Sequence, residues 1–315
     1  MEKPIRLPNA VVIGAPKSGT TSLYHYLKQH PEVFLPGQKE LHFFSYNLLA
    51  QNVQGPGDEN ALRPVCRTKE EYVRHFRGVT TEKIVAEVSP SYLYFCQVSE
   101  SILAELGPVK IIAILRDPVE KAFSQYMHLV RANRETLPFY EALQAEEGRR
   151  AAGWGDMWRY AESSLYAARL RRYIELFGRQ QVKIILAEEF FAQPVKAMRD
   201  LFGFLGVDPT FSPTAIRVYN RSGYPRSRFV ADLLIKQTPL RTLARRLLPP
   251  AMRQAIHSTM MDLNVGPKGR MGEEARAYLQ QYFRQDILQV EEIIGRSTGW
   301  IQSWANRSPL NGNAP

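Results

Sequence analysis

Cysteine is nearly missing from this 315-residue chain, where Cys66 and Cys96 are the whole supply. Two thiols are too few for a disulfide framework or a cysteine zinc site. Long apolar runs are missing as well, and none approaches the roughly 20 residues that a membrane span requires. The opening MEKPIRLPNAVVIGAPKSGTT lacks the shape of a secretory signal, because its apolar stretch is short and runs straight into a glycine-bearing turn. These absences read as an intracellular, cytoplasmic protein. No internal repeat or low-complexity tract stands out. Acids are the scarcer charge: 31 Asp plus Glu against 41 Lys plus Arg, a net of +10. That field favours anionic partners, whether phosphorylated cofactors, acidic glycans, membrane surfaces or nucleic acid, and does not choose among them. With 44% hydrophobic and 23% charged residues, a mostly disordered chain is excluded.

What is present is an alternation. Short β-branched runs at Ala10–Ile13, Lys83–Glu87, Lys110–Leu115 and Val182–Leu186 have the continuous apolar character of strands covered on both faces. Helical patterns lie among them at Thr20–His30, Glu70–Phe76, Val98–Leu106, Pro118–Asn133 and Ser163–Phe177, with another from Pro194 to about Leu205. Strand, helix, strand at this spacing predicts βαβ units and an α/β chain with a central parallel sheet. One domain over 1–315 is expected, its core at about 8–225 and a helical, basic part at about 226–305. From Arg226 to Arg253 seven basic residues face a single acid, Asp232, with leucines interleaved. An amphipathic helix pair with solvated arginines fits that pattern, and so does a basic flap over an anionic substrate or a membrane surface. Glu273 to Ile294 reads as a packing helix, and the tail after Trp304 as frayed.

The strongest constellation is Val11-Val12-Ile13-Gly14-Ala15-Pro16-Lys17-Ser18-Gly19-Thr20-Thr21, followed by SLYHYLKQH. A buried strand, a glycine turn and a helix N-terminus aim unpaired backbone N–H groups and the positive helix end at an anion. The nucleotide-triphosphatase loop G-x-x-x-x-G-K-[ST] has the same glycine spacing, but here Thr20 follows the second glycine and the lysine has moved back to Lys17. The displaced lysine argues against an ordinary ATPase. Three further segments carry reactive residue types: KELHFF from Lys39, EVSPSY from Glu87 and ILRDPVEKAFSQY from Ile114. In the last, Arg116 ends a buried strand, where open α/β sheets bind ligands, and Ser124 follows eight residues later.

These four motifs, in this order and spacing, resemble the sulfotransferases that use 3′-phosphoadenosine 5′-phosphosulfate (PAPS), in the branch of the heparan sulfate enzymes and their bacterial relatives. The similarity runs over roughly 8–225 and implies a P-loop-type three-layer fold. It implies that Lys17, Ser18, Gly19, Thr20 and Thr21 hold the 5′-phosphosulfate, and that Lys17 also steadies the departing phosphate. It places Arg116 and Ser124 on the 3′-phosphate, and a later loop, with Arg221 and Gly223, over the adenosine and that phosphate. Glu40 takes the role of general base for an acceptor hydroxyl or amine, with His42 as the competing base because an imidazole titrates near neutrality. No metal is expected, since a sulfuryl group carries less charge than a terminal phosphoryl group and a lysine with backbone donors suffices. Many relatives have a lysine after the glutamate of the EVSPSY motif, where this chain has Val88, which puts a second catalytic lysine in doubt. Glu87 and Ser89 either line the site or serve the turn.

Two rivals stay open at this level: a P-loop kinase using ATP, and a non-catalytic basic module that binds anions or membranes through 226–253. No nucleic-acid partner is expected. The acceptor is unnamed, and its binding residues are expected in the segments 48–68 and 135–163. The second contains Trp154, Trp158 and Tyr160, which suit stacking on a sugar or an apolar tail and equally suit a core.

Overall fold

The structure, a computed structural model, describes residues 5–60, 62, 65–214 and 269–305. Strand β1 (Ala10–Gly14) shows why the sequence there is uninterruptedly apolar. Val11 and Ile13 pack into one apolar cluster, while Ala10 and Val12 pack into another. Strand β4 (Lys110–Leu115) repeats the alternation, with Ile111, Ala113 and Leu115 set against Ile112 and Ile114. Neither face meets water, so both need β-branched or small apolar side chains. Each large one contributes about 1.5–3 kcal/mol when fully buried.

The sheet order is β2 (Val33–Phe34), β3 (Ile84–Val88), β1, β4, β5 (Val182–Leu186), with every pairing parallel. Ala10 stands opposite Ala86 on one side and Lys110 on the other. The four expected strands are present, and β2, at two residues, is too short to carry a pattern.

The helices are α1 (Thr20–Leu27), α2 (Tyr46–Ala50), α3 (Lys69–Arg74), α4 (Ser91–Tyr94), α5 (Val98–Leu106), α6 (Pro118–Arg131), α7 (Phe139–Gln144), α8 (Glu146–Ala151), α9 (Ala167–Phe177), α10 (Ala187–Ala192), α11 (Pro194–Leu205), α12 (Glu273–Ile294) and α13 (Trp300–Ala305). α1 and α11 cover one face of the sheet through Leu23, Leu27, Leu201 and Phe202. α5, α6, α9 and α12 cover the other through Ile102, Ala122, Leu170 and Phe283. The result is a three-layer α/β fold. Among the described residues no helix is long and apolar enough to cross a membrane.

Three local expectations change. The helix expected from Ser163 starts at Ala167, because Asp286 of α12 accepts from the Tyr166 and Ala167 N–H groups at 2.8 and 3.0 Å and caps it there. The turn after Glu87 is the short helix α4. Trp158 and Tyr160 are core residues, at 1% and 0% exposure, and Trp154 packs against that core. The segment 226–253 and residues Arg221 and Gly223 lie outside the described residues.

From β1 the chain runs to one side of the sheet, through β2 and β3, and then crosses to β4 on the other. Such a reversal opens a crevice at the carboxyl ends of the strands. The loops after β1, β3 and β4 meet there.

Candidate active site

The loop after β1 is built around two glycines. A Cβ on Gly14 would stand 2.7 Å from Leu93 Cβ and 2.9 Å from the Pro90 carbonyl oxygen, so only glycine lets α4 approach. Gly19 precedes α1 with a φ of 110°, a region that side chains disfavour. No side chain caps α1, so its first N–H groups face the loop. Ser18 Oγ is buried and has no hydrogen-bond partner. Thr20 is buried and Thr21 partly so. A strand-to-helix loop of this kind, with an uncapped helix N-terminus and a buried hydroxyl without a hydrogen-bond partner, suits an anion.

Lys17 sits in this loop at φ 64°. Burial lowers its pKa to about 8, helped by Arg131 and Arg116 and opposed by Glu40. Its Nζ lies 3.4 Å from His128 Nδ1 on α6. His128 is a site residue that the motif reading missed, although it follows Ser124 by four positions and so shares its helix face.

The corner after β4 joins the loop through Arg116, whose Nη1 donates to the Lys17 carbonyl at 3.2 Å. Its Nη2 is 3.8 Å from Glu120 Oε2, and Arg276 Nη1 is 3.6 Å from the other oxygen of the same carboxylate. A cavity of about 350 Å³ opens beside Glu120, lined also by Phe123, Arg270 and Arg276. Arg276 Nη1 is buried without a hydrogen-bond partner. Ser124 is buried on α6, two turns beyond Arg116. Arg270 and Arg276 carried no motif in the sequence reading, and their proximity to Glu120 comes from packing of α12 on α6.

Contacts from far along the chain hold this corner. Asp117 caps α6, its Oδ1 accepting from the Val119 N–H at 2.9 Å, while Trp304 Nε1 donates to Oδ2 at 2.9 Å. The Asp117 N–H donates to Glu188 Oε1 at 3.0 Å, and Trp300 Nε1 donates to Oε2 at 3.1 Å. The Tyr166 hydroxyl donates to the Arg116 carbonyl at 2.9 Å. Burial raises Asp117 to about 6 against the pull of the Trp304 indole.

Across the crevice, the Glu40 N–H donates to the Val88 carbonyl at the end of β3 at 2.9 Å. Glu40 and His42 have φ values of 66° and 50°. Glu40 is half-exposed, paired with Lys39 through Oε1, and its Oε2 lies 3.8 Å from His42 Nε2. Partial burial works against its ionisation, but His42 and Lys39 outweigh it and hold the carboxyl well below the usual carboxylate range.

Below this pair, the Ser89 hydroxyl donates to Glu87 Oε2 at 3.1 Å and accepts from the His42 N–H at 3.0 Å. Tyr72 donates to Glu87 Oε1 at 3.1 Å. Glu87 is 1% exposed, with burial raising its pKa to about 7. Glu87 and Ser89 therefore support the site from beneath and do not line it.

Four non-glycine residues among those described have positive φ: Lys17, Glu40, His42 and Asn133. Three of them are the candidate catalytic residues. Such backbone costs on the order of 1–3 kcal/mol per residue and collects where geometry serves a function. Glu40 is near enough to Lys17 to act on it electrostatically.

A family model described as the sulfotransferase family matches residues 8–212. The chain is 27% identical to mouse heparan sulfate glucosamine 3-O-sulfotransferase 3B1 over 221 residues, 70% of this chain and 51% of that protein. It is 24% identical to mouse bifunctional heparan sulfate N-deacetylase/N-sulfotransferase 4 over 311 residues, 95% of this chain and 31% of that one. The chain thus spans about half the length, or less, of these curated relatives. Among solved structures, a sulfotransferase from Alicyclobacillus acidocaldarius superposes with a TM-score of 0.74 at 34% identity, covering 93% of this chain and 98% of that one.

Proposed function

The chain belongs to the sulfotransferase family, and we propose that it moves a sulfuryl group from PAPS to a hydroxyl or amine of an acceptor, releasing adenosine 3′,5′-bisphosphate. The observation that carries this reading is that Lys17, Glu40 and His42 all stand on left-handed backbone, with Glu40 near enough to act on Lys17 electrostatically and Lys17 beside a helix N-terminus that no side chain caps. The residues fit the donor. Ser18 Oγ and Arg276 Nη1 are buried polar atoms without hydrogen-bond partners, Arg276 standing 3.6 Å from the Glu120 carboxylate, and an anionic ligand would give both a hydrogen bond. Lys17, Ser18 and the first N–H groups of α1 would hold the 5′-phosphosulfate. Arg116 and Ser124 would hold the 3′-phosphate, with Arg276 and Arg270 extending that grip.

When bound, the donor supplies an activated sulfuryl group whose transfer is an in-line displacement through a loose transition state. As the acceptor oxygen or nitrogen bonds to sulfur, the bond from sulfur to the bridging oxygen breaks, and its electron pair stays on the phosphate. Lys17 neutralises that growing charge. Glu40, kept ionised by Lys39, takes the acceptor's proton with His42 beside it. With Val88 in place of the lysine of many relatives, Lys17 serves the leaving phosphate while Lys39 pairs with Glu40.

The test is transfer of labelled sulfate from PAPS to a panel of glycans, lipids, phenols and alcohols. Transfer to any of them, with release of adenosine 3′,5′-bisphosphate, is the expected result. Turnover with ATP and none with PAPS would overturn the reading.

A further inference from the structure

Among the described residues, two guanidiniums flank the Glu120 carboxylate. Arg116 Nη2 stands 3.8 Å from Oε2, and Arg276 Nη1 stands 3.6 Å from Oε1. Both are separations of ion pairs, and both lie beyond the reach of a hydrogen bond. Arg116 already donates through Nη1 to the Lys17 carbonyl at 3.2 Å, so Nη2 is the nitrogen that turns to Glu120. Arg276 Nη1 is buried without a hydrogen-bond partner. The Glu120 side chain is 15% exposed, and the cavity of about 350 Å³ opens beside it.

A carboxylate on this wall is out of keeping with a site for a phosphate, because like charges repel. Helix α6 has little need of it, since Asp117 already caps its first turn. Nor does Glu120 use up the arginine donors, which it faces without bonding. We propose that Glu120 is a specificity-determining residue of the donor site. It is a resident anion that holds Arg116 and Arg276 beside the cavity by charge and opposes any second anion that comes to them. A phosphate ester overcomes this opposition, because its terminal oxygens accept the hydrogen bonds that the carboxylate leaves unmade. The same opposition acts on the product, which keeps its 3′-phosphate, and so limits how tightly the used nucleotide is held. The proposal rests on the reading of PAPS as donor, since the 3′-phosphate is the group that Glu120 opposes.

Titration calorimetry on the whole chain tests this with adenosine 3′,5′-bisphosphate, 3′-AMP and 5′-AMP. Glu120→Gln keeps the shape of the side chain and removes its charge. It should bind the two 3′-phosphorylated nucleotides more tightly, by about tenfold or more, with 5′-AMP little changed. Glu120→Ala removes the amide as well and should move affinity in the same direction. An ion pair that serves only to brace the two arginines predicts the opposite sign, because loosening them weakens the grip on a 3′-phosphate.

Two failures are distinguishable. If the native protein prefers adenosine 3′,5′-bisphosphate to 5′-AMP, and Glu120→Gln binds 3′-AMP no better than the native protein does, the inference is overturned and the donor reading stands. If the native protein binds adenosine 3′,5′-bisphosphate and 5′-AMP equally, the 3′-phosphate reading itself is rejected, and the part given to Glu120 goes with it.

Discussion

Lys17 Nζ meets His128 Nδ1 across 3.4 Å. An ammonium only donates, so that imidazole nitrogen carries its lone pair toward the lysine. The charge of Lys17, then burial, then Arg131 keep the His128 pKa well below its ordinary value. His128 is thus a neutral bracket that aims the cation of the phosphate loop.

In the proposed mechanism Lys17→Ala removes a charge that acts mainly on the departing phosphate. Turnover should fall on the order of 10²-fold or more, with a smaller loss of adenosine 3′,5′-bisphosphate affinity. Single-turnover rates beside calorimetric binding separate the two, and near-normal turnover would take Lys17 out of the mechanism.

The pH dependence of nucleotide binding has a definite sign. Lys17 is charged below about 8 and neutral above it, so affinity for adenosine 3′,5′-bisphosphate should decline as pH rises through that value. Bound anion favours the charged form and displaces the decline upward. Lys17→Arg keeps its charge throughout and should flatten the slope. Titration calorimetry between roughly pH 7 and pH 10 follows this, and a native profile as flat as the arginine variant's would contradict it.

If Arg116 and Ser124 hold the 3′-phosphate as proposed, Arg116 controls the choice of nucleotide. The native protein should bind adenosine 3′,5′-bisphosphate far better than AMP, and Arg116→Ala should erase most of that preference. A charged hydrogen bond lost from such a site costs about 1.5–3 kcal/mol. Equal affinity of the native protein for both nucleotides would remove Arg116 and Ser124 from the 3′-phosphate.

Glu40→Gln should leave that affinity intact and cost roughly 10²–10⁴-fold in turnover, the range of general-base catalysis, with His42→Gln costing less. Because Lys39 and His42 keep the Glu40 carboxyl ionised, turnover should show no loss from its protonation in the ordinary carboxylate range. The reverse ranking of the two variants would hand the proton to His42.

The strands, the phosphate loop and the Arg116 corner were legible because each is written in one short run of sequence. Lys17 and Glu40 were readable for the same reason, through their motifs. His128 was not, since YMHLVR carries no local signal and only its i,i+4 relation to Ser124 could have drawn notice. Arg270 and Arg276 enter through the packing of a helix that follows far along the chain. Trp158 was ambiguous because its fate depends on a distant acid: Asp58 accepts its indole N–H at 2.9 Å from a hundred residues away. The true start of α9 at Ala167 depends on Asp286, and no window of local sequence contains both.

Trp304 closes on Asp117 across 187 positions of chain. The five described strands end by Leu186, and the phosphate loop lies near the first of them. Synthesis delivers the N-terminal part first, and domains fold in that order as the chain emerges. All five strands and the loop after β1 are thus made before Trp304, but the sheet face that α12 covers through Phe283 stays open until that helix is made. The Arg116 corner is clamped last. The aspartate that caps α6 just after Arg116 is therefore completed by an indole from the last described helix, so the amino-terminal half of the chain does not finish this corner by itself.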